Sequence, residues 1–176
     1  MIKKTILIVF TVFFVLLNQS VESQKIAVIN LDYIINNCHQ YQEIIKKISK
    51  AQELKKNEFI KQEETMKSKL NEIENYKLIL SNDEIQLKVE EYNKTFSNFK
   101  DSIDKFNFHY DNQLSIIKNK ILEKSVKLLE KYAIENKIDL IFDNKNYIIA
   151  SNSIDITDSI LKELDTIDLN LQFDSL

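Results

Sequence analysis

Two apolar repeats mirror each other across the middle of this chain. Phe59, Met66, Ile73 and Leu80 stand seven residues apart on the way out, and Ile85, Tyr92, Phe99 and Phe106 stand seven apart on the way back. Seven is the coiled-coil period. Two antiparallel limbs oppose residues whose numbers have a constant sum, and Leu80 with Ile85, Ile73 with Tyr92, Met66 with Phe99 and Phe59 with Phe106 all total 165. Ala51 with Leu114, Ile48 with Ile117 and Ile44 with Ile121 keep the same total. The register predicts a helical hairpin that folds back between residues 82 and 83. Ser81 followed by Glu84 is a capping-box signature for the returning helix.

The returning seam is the more regular one. Ile85, Val89, Tyr92, Phe96, Phe99, Ile103, Phe106 and Tyr110 alternate steps of four and three, after which the spacing slips to 4-4, a stutter that locally unwinds a supercoil. The forward seam carries Glu63 and Lys77. At about 1.5 Å per residue, limbs of roughly 40 residues reach on the order of 60 Å. Nothing so long and thin has a core of its own. The arm is assigned to residues 39–136, and Phe108, outside the seam, is read first as packing near its root and second as apolar contact for a bound partner.

The chain contains neither Gly nor Pro. It also lacks Trp and Arg and is rich in Ile, Lys and Asn, so the absence fits a biased coding sequence as well as it fits a structural demand. Either way no phosphate-cradling loop, dinucleotide fingerprint or nucleophile elbow can be built. His39 and His109 fall on opposite limbs, offset by roughly 25 Å along the axis in this register. Asp155 and Asp158 read as charges favoured at a helix N-terminus. No catalytic, metal-binding or cofactor-binding residue is expected, and no cofactor.

Lys3 and Lys4 precede an apolar run from Ile6 to Leu17 broken only by Thr11, followed by the polar stretch Asn18 to Gln24. This is the pattern of an export signal over residues 1–23. The run spans about 18 Å as a helix, short of the roughly 30 Å hydrocarbon core of a bilayer. Loss of Lys3, Lys4 and Glu22 takes the formal charge of −3 one unit lower. The lone Cys38 has no internal disulfide partner and reads as a small buried hydrophobe.

The two ends of the remaining chain supply a small β-rich body, residues 24–38 and 137–168. Lys25 to Leu31 has strand composition, as do Asp139–Asp143 and Tyr147–Ala150, which flank Asn144-Lys145-Asn146 as a hairpin turn. Asp155 caps a short helix whose apolar face is Ile156, Ile160, Leu161 and Leu164. The expected body core is Ile26, Val28, Ile29, Leu140, Ile141, Phe142, Ile148, Ile149, Ile160 and Leu164. Its short strands leave open edges, so subunits should pool their bodies. In the tail, residues 169–176, Leu169, Leu171 and Phe173 alternate as in a strand, and a frayed terminus fits equally.

Three ordered segments, KIAVINLDYII at 25–35, IDLIFDNKNYIIAS at 138–151 and SIDITDSILKELD at 153–165, resemble the Skp/OmpH family of periplasmic chaperones. The resemblance covers essentially the whole chain after the signal. It implies a jellyfish-like homotrimer, mainly α with a small β body, in which three antiparallel coiled-coil hairpins project from a trimerisation body of short strands. It implies a soluble periplasmic protein that holds unfolded outer-membrane proteins between its arms without ATP. One departure stands out: residues 55–110 hold ten Lys against eleven acidic residues, where basic arms are expected of the family. No nucleic-acid partner is expected, and contact with anionic membranes has little support. Client-binding residues are not readable from the sequence. Periodicity alone also fits an exported coiled-coil tether or adaptor.

Overall fold

The computed structural model describes residues 23–175, so the segment read as an export signal lies outside the described residues except for Ser23. Strand β1 is Ile26–Ile29, helix α1 Leu31–Asn37, helix α2 His39–Tyr76, helix α3 Asn82–Asn136, strand β2 Leu140–Asp143 and helix α4 Thr157–Leu164. Helices α2 and α3 are the two limbs of the arm; the other elements make the body at its base. Among the described residues no helix is long and apolar enough to cross a membrane.

The returning limb starts where its sequence says it should. The Ser81 hydroxyl accepts from the Glu84 amide, and the Glu84 carboxylate accepts from the Ser81 amide at 3.0 Å. That reciprocal cap places Asn82 inside α3. The turn is therefore drawn from residues 77–81, ahead of the expected tip at 82–83, although the register of the limbs still follows the total of 165. Phe59 lies on Phe106, and Ile73 and Tyr92 line one shared cleft. At its far end α3 stops at Lys137, whose φ of 54° does the work of an absent glycine.

The body departs from expectation in its sheet. β2 pairs in parallel with β1, Ile26 beside Leu140 through Ile29 beside Asp143, rather than turning into a hairpin. The expected hairpin needs Asn in the left-handed region, yet among the described residues only Lys137 and Asn170 have positive φ. Asp143 explains the difference: its carboxylate accepts from the Asn144 amide, starting a 3-10 turn over residues 144–146, and from the Leu31 amide. Residues 147–150 consequently form no strand.

A long-range lattice closes the body. The Asp139 amide donates to the Lys25 carbonyl, the Ile156 amide to the Val28 carbonyl, and the Asn30 amide to the Thr157 hydroxyl. The Asp155 carboxylate accepts from the Thr157 amide at 2.9 Å, one residue ahead of the N-cap position of α4, which Ile156 occupies in place of the expected Asp155. Inside lie Ala27, Ile29, Ile34, Cys38, Ile156, Ile160, Leu164 and Leu169, continuous with Ile44, Ile48, Ile117 and Ile121 at the arm root. Burial pushes the Cys38 thiol pKa above its ordinary value, which suits an inert packing role.

Candidate functional site

The arm is a seam of modest depth. Ile48, Met66, Ile73 and Ile117 are buried in it, while Phe59, Leu80, Ile85, Tyr92, Phe99, Ile103 and Phe106 are half-buried and Phe96 is exposed. Aromatic rings join the limbs: Phe59 meets Phe99 at 5.9 Å and Phe106 at 5.4 Å, both edge to face. Tyr92 and Phe96 stack within α3 at 6.2 Å. Two stacked helices cannot bury more than their shared stripe, so most arm surface stays available.

Much of that surface is apolar. Leu78, Ile79 and Leu87 are exposed at the tip, and Leu54, Ile60 and Leu70 along α2. Phe108 is 75% exposed, which corrects the reading of it as root packing. It stands two residues after Phe106 and two before Tyr110, so the helix turns it away from both. Charge on the arm is local and mixed: Lys55 pairs with Glu58, Lys77 with Glu74, Lys127 with Glu123. Such exposed pairs contribute little to stability.

The predicted body core divides. Val28, Ile29, Ile160 and Leu164 are buried and Ile141 is half-buried, whereas Ile26, Leu140, Phe142, Ile148 and Ile149 face outward in the single chain. Ile148 and Ile149 are almost wholly exposed and follow β2 in the chain, and the outer edge of β2 has no strand partner among the described residues. Lys131 of α3 ties the arm to α4 through Glu163 at 2.8 Å, and that pairing raises the Lys131 pKa. Among the described residues no cluster of His, Cys, Asp and Glu is arranged to hold a metal.

The tail, which the sequence left between strand and frayed end, is neither. Leu169 is fully buried, and the chain beyond it lies against the arm root. The signal for this was present as the alternation of Ile167, Leu169, Leu171 and Phe173, but no local rule names the surface it meets.

The family model for outer membrane protein (OmpH-like) matches residues 25–164, from the start of the body through both limbs to the end of α4. The chain belongs to the OmpH-like family. A solved structure of similar fold is a candidate outer membrane chaperone, OmpH-like, from Caulobacter crescentus. It aligns with a TM-score of 0.75 over 87% of this chain and 90% of its own, at 10% identity. No curated protein matches the sequence. The OmpH-like match ends with α4, so the tail from Asp165 onward lies beyond it.

Proposed function

We propose that this OmpH-like protein is a periplasmic holdase: a homotrimer whose three arms enclose unfolded outer-membrane proteins and keep them soluble without ATP. The observation that carries the reading is the division of apolar surface between body and arm. Ile26, Leu140, Phe142, Ile148 and Ile149 crowd one small body beside an open strand edge. Single apolar residues are ordinary on a surface, but several on one small body with an unpaired strand edge point to an interface. The unpaired Tyr147–Ala150 segment has the composition to extend a neighbouring copy's β2. Pooling three bodies covers these residues and gives the arms a common base.

The arms then present scattered apolar side chains, Leu54, Ile60, Leu70 and Phe108 among them, around a shared space. Many weak contacts give avidity without a single tight site, and weak contacts release a client without an energy source. The candidate chaperone from Caulobacter crescentus has the same architecture, which supports the assignment at the level of fold.

The test is dilution of a urea-unfolded outer-membrane barrel into buffer with and without the protein. Suppressed light scattering at about one trimer per client is expected. Aggregation that proceeds unchanged, together with stoichiometric binding to one folded envelope protein, would replace the holdase by a coiled-coil tether.

A further inference from the structure

The tail beyond α4 is held as a bound peptide is held. The Gln40 side chain donates to the Ile167 carbonyl at 2.6 Å and accepts from the Leu169 amide at 3.0 Å. Both bonds read backbone, in the pattern that a neighbouring strand would use. Further along, Lys120 donates to the Asn170 carbonyl, and His109 Nε2 lies 2.7 Å from the Asp174 carbonyl oxygen. The Phe173 ring tilts over Tyr110 at 5.8 Å. Burial alternates along the tail, with Ile167, Leu169, Leu171 and Phe173 inward and Asp168, Asn170, Gln172 and Asp174 to solvent, around a bend where the Asn170 amide donates to the Asp168 carboxylate and Asn170 takes a φ of 48°.

The face that holds the tail continues up the arm, where no other segment among the described residues lines the mid-arm cleft. At the root it is lined on α2 by Gln40, Glu43, Ile44 and Lys47. In mid-arm a cleft of about 320 Å³ is lined by Gln62, Thr65, Met66 and Lys69, the same spacing about the seam residue Met66 as the first set has about Ile44. On α3 the residues just before seam positions do the same work: Lys120 before Ile121 and His109 before Tyr110 touch the tail, and Asn98 before Phe99 lines the cleft. Root and cleft are one face of one hairpin.

We infer that this face is a binding track for segments of alternating apolar and polar residues, and that the tail occupies its root as a built-in competitor. Alternation with period two is the pattern of a membrane-spanning β-strand. Recognition through backbone atoms, with apolar side chains set against the seam, accepts many sequences that share that period. A client strand can lie in the open cleft and gain the root only by displacing the tail. The inference rests on the holdase reading for the identity of the ligand; the track itself stands on the tail's contacts.

The experiment compares the trimer with a Leu171→Asp/Phe173→Asp variant, which frees the outer tail and leaves Leu169 in the core. A second variant ends after Asn170, in case the two aspartates disturb the root. The probe is a fluorescent peptide with the sequence of residues 167–175; its control has the same composition with the apolar residues clustered. A track that is closed by its tail nine-tenths of the time binds about tenfold more weakly than an open one. We expect both variants to bind the alternating peptide at least about fivefold tighter than the parent, with no gain for the control, and to bind an unfolded barrel more tightly as well. Equal peptide affinity in all three proteins overturns the proposal even where the barrel is still held. Tighter peptide binding by proteins that fail to hold any barrel would keep the track and remove the holdase.

Discussion

Phe59 of α2 and Phe106 of α3 meet edge to face at 5.4 Å with their planes 89° apart. The same Phe59 ring abuts Phe99 one heptad away, so a single side chain pins the register of both limbs. Phe59→Ala is expected to cost about 2 kcal/mol, below the range for a fully buried Phe because the ring is half-buried. A double-mutant cycle with Phe106→Ala should show a coupling near 1 kcal/mol in chemical denaturation. Additive losses would mean that the rings are neighbours without being partners.

The register also makes a geometric claim. In a Cys38→Ser background, Ile73→Cys with Tyr92→Cys should cross-link within one chain, since the two residues line the same cleft. Ile73→Cys with Phe106→Cys should not, because the second pair is offset by about 21 Å along the arm. Mass spectrometry of the oxidised protein reads both outcomes.

The arm tip depends on one cap. Hydrogen bonds from the Ser81 hydroxyl and amide hold the Glu84 carboxyl below the usual glutamate range. A carboxyl depressed in the folded state stabilises it above the unfolded pKa, and that contribution fades as pH falls through the folded pKa. Protection of the amides of residues 82–88 in hydrogen exchange should therefore decline as pH drops below the ordinary glutamate range. Ser81→Ala should lose about 1 kcal/mol of local stability at neutral pH and remove most of that pH dependence.

What the sequence disclosed follows from how local each signal is. The seam and the cap were legible because heptad spacing and the Ser81–Glu84 pair are written within a few turns of helix. The parallel pairing of β1 with β2 was not, because Ile26 and Leu140 are brought together only by the whole hairpin between them. The Asn144 turn was misread for a nearer reason: Asp143 beside it offers a carboxylate to the Asn144 amide, and that bond selects a 3-10 turn over a hairpin. For the tail, period two was visible, while Gln40 as its clamp lies 129 residues from Leu169.

Body residues separate folding from assembly. Ile148→Asp alters a side chain that is exposed in the protomer, so helical content should be unchanged while light scattering reports monomers. Ile141→Asp places a charge where the side chain is half-buried against the core, so it should lower protomer stability as well as block assembly. A trimer that survives Ile148→Asp would move the interface away from this patch.

The final expectation concerns what grips a client. Ten Lys and eleven acidic residues between 55 and 110 give the arm almost no net field, and its resolved ion pairs link neighbours on the same helix. Charge steering is then weak beyond a Debye length of about 10 Å at 0.1 M salt. Apolar contact does not share that sensitivity. Affinity for an unfolded barrel should change by less than about threefold between about 50 and 300 mM salt, a difference under roughly 0.7 kcal/mol. Substitution of exposed apolar residues should weigh more: Phe108→Ser with Leu54→Ser ought to weaken binding several-fold at either salt concentration. Titration of a fluorescent client across that range checks both arms of the argument. A tenfold loss of affinity in salt, with the serine variant unaffected, would assign the grip to lysines and remove the apolar contacts from the mechanism.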